Sequence, residues 1–334
     1  MSQLRIEVTE ASQPAAARRA AANLAHEAGM DETAASDLAL VVTELATNLV
    51  KHASGGELLL RRLGAAGEEG VEVLSLDRGP GIGDVARALG DGYSTAGSPG
   101  TGLGAVLRTA AEFDLYSQPG KGTAIVARVV PRGTRSPTPY AQLVGVVQQP
   151  KPSETVCGDG WFVGWFADGW VCAVADGLGH GPLASAAAQS IIEAVRSAQG
   201  SRGPVELVQA AHEAARPTRG AAFGVAVLDG PAGVVRFAGV GNIAAQVLNG
   251  DERRHLVSYN GILGHEHRKV SEFAHPWRTQ SVLVLHSDGI GTHWDANQYP
   301  GLLARDPSLM AGVLYRDHTR GRDDATVVVI KEKG

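Results

Sequence analysis

At 334 residues, with 44% hydrophobic and 19% charged side chains, the chain can bury two separate cores and is too apolar to be disordered. Its net charge of −5 is uneven: residues 1–131 hold 11 Lys/Arg against 16 Asp/Glu, and residues 132–334 hold 19 of each. Neither part concentrates a basic stripe, which argues against nucleic acid as the main partner.

In chain order, residues 14–28 and 31–52 have helical periodicity, with Asp31 placed to cap the second helix. Within that second helix Glu44 and Asn48 stand four apart, so they project from one face, and Lys51 and His52 follow a turn later. Alone, the pair reads equally as the polar stripe of an amphipathic helix. Strand-like runs follow at 57–62 and 71–76, the latter ending in Asp77-Arg78-Gly79-Pro80-Gly81. A Gly-rich loop covers 79–102, Gly100-Thr101-Gly102-Leu103-Gly104 opens a helix predicted to reach Glu112, and a hairpin turns at Gly120-Lys121-Gly122-Thr123. Glycines let backbone approach a ligand closely, and a helix start offers free N–H groups to phosphate. The order of elements predicts an α/β sandwich with helices on one face of a mixed sheet.

The stretch from Val130 to Pro139 carries three prolines and a glycine, so it can sustain neither a helix nor an inner strand. We place the domain seam there, with a first domain at 1–131, a linker at 132–139 and a second domain at 140–334. Beyond it, short β runs (162–166, 170–175, 221–228, 234–238, 245–248, 281–285, 326–330) surround helical stretches at 182–198, 204–214 and 306–318. That order fits an αββα sandwich of two sheets flanked by helices.

Four aspartates sit at the edges of those runs: Asp159 after Cys157-Gly158, Asp176 before Gly177, Asp288 before Gly289, and Asp323 before Asp324. Carboxylates placed at strand ends can converge, and converging carboxylates need cations. A donor set of hard oxygens without His or Cys favours Mg²⁺ or Mn²⁺ over zinc. This is the pattern of metal-assisted phosphate chemistry. Cys157 and Cys172 form no disulfide framework and lack the arginine-bearing loop of a thiol phosphatase, so both are read as structural thiols in a cytoplasmic protein. No apolar run is expected to reach membrane-crossing length, no signal-peptide run opens the chain, and the five tryptophans are read as core or pocket walls.

The first 130 residues resemble the GHKL ATPases, through the helix bearing Glu44 and Asn48, the Asp77-x-Gly79-x-Gly81 box and the Gly-rich lid. Within that superfamily, Asp91-Gly92-Tyr93-Ser94-Thr95 and Glu112-Phe113-Asp114 are similar to the RsbT-like serine kinases of bacterial partner switching. The resemblance implies that Asn48 coordinates Mg²⁺, Asp77 accepts from the adenine amino group, Gly79, Gly81, Gly102, Gly104 and Thr123 line ATP, and Glu44 is the general base. No Walker P-loop, eukaryotic kinase loop or dinucleotide pattern occurs.

Residues 140–332 resemble the PPM family of metal-dependent Ser/Thr phosphatases, in its compact SpoIIE/RsbX-like branch. The resemblance is carried by Asp176-Gly177-Leu178-Gly179-His180-Gly181, Gly241-Asn242, Gly261-Ile262-Leu263-Gly264 and Asp323-Asp324-Ala325-Thr326. It implies that Asp159, Asp176, the Gly177 carbonyl, Asp288 and Asp323 hold two metals that activate water against phosphorus. Asp324 is placed beside that set, and His180 either as a proton donor or as a helix-start histidine satisfied by local backbone.

Together the two resemblances imply a regulator of partner-switching stress signalling, of the stressosome type. It would phosphorylate and dephosphorylate Ser/Thr of STAS-domain antagonist or scaffold proteins, using ATP, Mg²⁺ and Mn²⁺. A downstream phosphatase or sigma-factor regulator is a further partner, with no nucleic acid and no membrane. The alternative is an ATP-sensing binding module or anti-sigma factor fused to a phosphatase that is the sole enzyme.

Overall fold

The computed structural model describes residues 3–63, 70–90, 102–133, 143–166, 169–198, 203–250, 252–265 and 270–331. The chain forms two compact units, one made of Met1–Gln142 with Tyr299–Arg316, the other of Leu143–Gln298 with Asp317–Gly334. The segment Tyr299–Arg316 thus joins the first unit, although its place in the sequence, between Asp288 and Asp323, lies among the motifs of the second. Residues 134–142, which hold most of the linker, lie outside the described residues.

The first unit is built from β1 (Leu4–Val8), α1 (Gln13–Glu27), α2 (Glu32–His52), β2 (Gly56–Arg62), β3 (Val71–Leu76), α3 (Val85–Leu89), α4 (Gly102–Thr109), β4 (Glu112–Ser117) and β5 (Thr123–Val129). The strands form one sheet in the order β1-β2-β3-β5-β4. Every pairing in it is antiparallel, which corrects the expectation of a mixed sheet. β4 runs the same way as β3, but the hairpin slots β5 between them, so no parallel pair forms. The helix from Gly102 is also shorter than expected, and Glu112 opens β4 instead.

Helix α2 organises this unit. Asp31 caps it, its side chain accepting from the Ala34 N–H at 2.7 Å. Leu38, Val41, Val42, Leu45 and Leu49 are buried at helical spacing, inside a core shared with Ala17, Ala21 and Ala25 of α1 and Leu58, Leu60, Val71 and Val73 of the sheet. At 21 residues and a mean hydropathy of 1.2, α2 has the length and composition to cross a membrane, contrary to the expectation from sequence. It is the core helix of this unit, and that role explains its apolarity.

The second unit contains β6 (Val144–Gln149), β7 (Asp159–Phe166), β8 (Gly169–Gly177), α5 (Pro182–Ala198), α6 (Pro204–Ala215), β9 (Ala221–Asp229), β10 (Val234–Val240), β11 (Ala244–Asn249), β12 (Glu252–Leu256), β13 (Phe273–Pro276), β14 (Val282–His286) and β15 (Ala325–Lys331). Between β14 and β15 the chain forms α7 (Pro307–His318). Two five-stranded sheets result, β13-β10-β9-β8-β7 and β12-β11-β14-β15-β6. Val171, Ala173 and Ala175 of β8 face Ile191, Ile192 and Val195 of α5 and Leu207 and Val208 of α6. The opposite face of β8 is buried as well, through Cys172 and Val174. Burial on both faces makes the strand read as a continuous apolar run.

Candidate active sites

In the first unit, Glu44 and Asn48 lie off the buried stripe of α2, and both are half-buried. The start of α4 comes up against them: a Cβ at Gly102 would sit 3.2 Å from Glu44 Oε2 and 3.5 Å from Asn48 Oδ1. Among the described residues Asn48 Nδ2 is buried without a hydrogen-bond partner. A stranded amide donor costs about 1–3 kcal/mol, so the site is built to receive an acceptor. Phosphate oxygens supply acceptors, and the Asn48 carbonyl oxygen suits a hard cation.

Asp77 ends β3 and is held rigidly. Its Oδ1 accepts from Gly79 N–H at 2.7 Å and from Thr123 N–H at 3.2 Å. Burial raises its pKa above the ordinary carboxylate value, while those two N–H groups and the Arg316 charge work against the shift. The last turn presses onto the same residue: at Gly122, φ is +85° and a Cβ would lie 2.0 Å from the Asp77 carbonyl oxygen. Only glycine fits there. Thr123 is buried, with its hydroxyl 2.9 Å from Ser117 Oγ, which in turn accepts from Ile82 N–H at 2.7 Å. Gly81 takes a φ of +71° against the Gln118 carbonyl, Gly79 lies beside Ala53 at the end of α2, and Gly104 is buried in α4. Residues 91–101, with the Asp91–Thr95 motif, Gly100 and Thr101, lie outside the described residues.

In the second unit, Asp159 and Asp176 are direct cross-strand partners on β7 and β8. Asp159 is buried, and its Oδ2 accepts from Ser287 Oγ at 2.7 Å, while its Oδ1 has no hydrogen-bond partner among the described residues. Burial pushes the Asp159 pKa up to about 7. Asp176 rises to about 9, first from burial and then from the charges of Asp159, Asp288, Asp323 and Asp324. Asp288 is also raised, by burial and by Asp323, against the pull of Arg320 and Arg322, and its Oδ2 accepts from Asn242 Nδ2 at 2.7 Å. The Asp323 side chain accepts from the Asp324 N–H at 3.0 Å. Gly177 abuts α5, where a Cβ would meet the Ala184 carbonyl oxygen at 2.1 Å.

Among the described residues, no group of three or more His, Cys, Asp or Glu side chains already closes on one point as a metal cage. Burial and the charge of neighbouring carboxylates nevertheless raise the pKa values of Asp159, Asp176 and Asp288, and among the described residues the buried Asp159 Oδ1 and Asp324 Oδ2 have no hydrogen-bond partner. An all-oxygen set with orphaned, mutually repelling carboxylates fits hard divalent cations. When bound, such cations supply an activated water and offset charge on the phosphoryl oxygens.

One neighbouring group, His180, has a partner other than the one read from the sequence. His180 Nδ1 lies 2.6 Å from Glu154 Oε1, so its partner is a half-buried carboxylate and not the local backbone. Asp324 is buried, and its Oδ1 accepts from Lys151 N–H at 2.9 Å. Cys157 is half-buried, and burial together with Asp159 pushes its thiol far up, which makes it a poor nucleophile. Trp170, Trp277 and Trp294 are buried. Sequence reasoning missed Ser287, Arg320 and Arg322. A serine or arginine one to three residues from an aspartate carries no local signal until the loop is folded.

Fold and sites define a protein with two phosphate-handling domains, an ATPase-type sandwich followed by a PPM-type phosphatase sandwich. The chain belongs to the histidine kinase-like ATPase domain family over residues 7–129 and to the Stage II sporulation protein E (SpoIIE) family over residues 167–333. It is 36% identical over 112 residues to the serine/threonine-protein kinase RsbT of Bacillus subtilis (strain 168), covering 34% of this chain and 84% of that protein. To the phosphoserine phosphatase RsbX of the same organism it is 25% identical over 146 residues, 43% of this chain and 73% of that protein. RsbX in complex with magnesium shares the fold, with a TM-score of 0.51 and 22% identity over 56% of this chain and 92% of that one. A chain described under "The bacterial stressosome: a modular system that has been adapted to control secondary messenger signaling" aligns with a TM-score of 0.53 and 28% identity, over 56% of this chain and 97% of that one. The protein thus joins an RsbT-like serine kinase half to an RsbX/SpoIIE-like Ser/Thr phosphatase half, the architecture of a partner-switching regulator.

Proposed function

We propose that the two halves write and erase phosphate on Ser/Thr of a STAS-domain antagonist or scaffold protein in a stressosome-type pathway. The observation that carries this reading is that one chain groups side chains suited to phosphate chemistry in two separate places. One gathers Glu44, Asn48 and the start of α4, and the other opposes Asp159 to Asp176. In the first, Asn48 and the glycines at 102 and 104 position Mg²⁺·ATP, Asp77 reads adenine, and Glu44 accepts the proton of the attacking hydroxyl. In the second, Asp159, Asp176, Asp288, Asp323 and the Gly177 carbonyl hold Mg²⁺ or Mn²⁺. An ATP-using kinase half and two unpaired cysteines suit the cytoplasm.

The test is a phosphorylation time course with a cognate STAS-domain protein, ATP and Mg²⁺ or Mn²⁺, comparing wild type with Glu44→Ala and Asp176→Asn. Glu44→Ala is expected to abolish phosphate incorporation, and Asp176→Asn to abolish its release. Neither transfer nor release by the wild-type protein sinks the proposal. Unchanged transfer by Glu44→Ala removes Glu44 from the kinase chemistry.

A further inference from the structure

The segment Tyr299–Arg316 lies in sequence between Asp288 and Asp323, yet it belongs to the nucleotide-binding unit. Its contacts within that unit are specific. Asp306 takes two hydrogen bonds from the Arg128 guanidinium, at 2.7 and 2.9 Å, and its N–H donates to Asp114 Oδ2 at 2.8 Å. Ser308 Oγ donates to Glu72 Oε2 at 2.8 Å. A Cβ at Gly312 would lie 2.8 and 2.9 Å from the side chains of Leu74 and Leu76, so α7 packs closely onto β3. At the end of this contact the buried Arg316 donates from Nη1 to the backbone carbonyl of Asp77 at 3.0 Å.

The Asp77 backbone is therefore held from two directions. Its N–H donates to the Thr123 carbonyl at 3.0 Å, and its own carbonyl is held by Arg316. Gly122 stacks on that same carbonyl, leaving little room for it to shift. A carboxylate that reads a ligand atom must be held to within about half an ångström to be effective. We infer that Arg316 is a positioning residue of the nucleotide site: it fixes the Asp77 backbone so that the carboxylate presents to the adenine amino group. The adenine-reading site is then completed by a helix encoded among the phosphatase motifs. The inference rests on the proposed ATP site.

The experiment measures affinities of the full-length chain for ATP and for inosine triphosphate, which carries a carbonyl in place of the adenine amino group, by isothermal titration calorimetry. Wild type is compared with Arg316→Met and Arg316→Lys. If Arg316 positions Asp77, Arg316→Met loses the preference for ATP over the inosine nucleotide, whereas a general loss of packing weakens both nucleotides equally. Arg316→Lys, with a single flexible donor nitrogen, is expected to fall between, and it carries the test if circular dichroism shows Arg316→Met to be unfolded. A wild-type ATP preference kept in full by the folded variant overturns the inference. A wild type that does not bind ATP, or does not distinguish the two nucleotides, instead removes the underlying ATP-site reading.

Discussion

Asp159 and Asp176 face each other across adjacent antiparallel strands, where burial and then the Asp159 charge raise the pKa of Asp176, and among the described residues the buried Asp159 Oδ1 has no hydrogen-bond partner. Like charges at this spacing destabilise the fold unless a cation lies between them. Asp176→Asn is therefore expected to raise the melting temperature of the metal-free protein, by about 2–4 °C per kcal/mol of repulsion relieved. The same variant is expected to lose the stabilisation that Mg²⁺ or Mn²⁺ gives wild type, and to drop phosphatase turnover by roughly 10²-fold or more. Differential scanning calorimetry with and without metal checks the first part, and phosphate release from a phosphorylated STAS-domain protein the second. A metal-free variant less stable than wild type would count against the repulsion.

Among the described residues Glu44 makes no hydrogen bond or ion pair, so Glu44→Ala is expected to leave folding and ATP affinity within a few-fold of wild type. Phosphotransfer is expected to fall by about 10²–10⁴, the usual worth of a general base. Single-turnover transfer to the partner, set beside equilibrium ATP binding, separates the two. Equal losses in binding and transfer would make Glu44 a binding residue.

Arg128 is buried among Glu72, Glu112 and Asp306, at 2.7–2.9 Å from each. Replacing it with methionine removes the counter-charge these three carboxylates share, although Arg61 and Ser308 still reach Glu72. Breaking a buried ion network in this way costs about 3–5 kcal/mol. Arg128→Met is expected to lower the unfolding free energy of the first unit, read by denaturant titration, by that amount. A shift within about 0.5 kcal/mol would mean the carboxylates find other partners.

Glu72 supplies a pH signature. Burial alone would raise its pKa, but Arg61, Arg128 and the Ser308 hydroxyl hold it down at about 2, against 4.5 for the free side chain. A depressed carboxylate stabilises the fold above its unfolded pKa, and that stability drains as pH falls from about 4.5 through 2. The amount at stake is on the order of 3 kcal/mol. Glu72→Gln is expected to be less stable at neutral pH and to show a shallower decline across that window. Parallel slopes in urea titrations from pH 5 to 2 would refute the assignment.

Gly122→Ala places a methyl group 2.0 Å from the Asp77 carbonyl oxygen at a φ of +85°. Strain of this kind costs about 1–3 kcal/mol, and relief requires the Asp77 backbone to move. Lower thermal stability and weaker ATP binding are expected together, and calorimetry reads both. Destabilisation with unaltered ATP binding would separate the turn from the nucleotide site.

The amino-acid sequence by itself determined the two domain types, the α2 helix with its Asp31 cap, and the aspartates and glycines at strand ends. Those features are local: a 3.6-residue period, a capping oxygen or an Asp-Gly step means the same thing before and after folding. The all-antiparallel first sheet, the membership of Tyr299–Arg316 in the first unit, the bond from Ser287 to Asp159 and that from Arg316 to Asp77 were decided only by the tertiary structure. Each joins residues far apart in the chain, where pairing depends on which buried surfaces and stranded polar groups happen to meet. A run such as 307–318 has the same apolar pattern whichever sheet it covers, so periodicity names it a helix and cannot choose its partner.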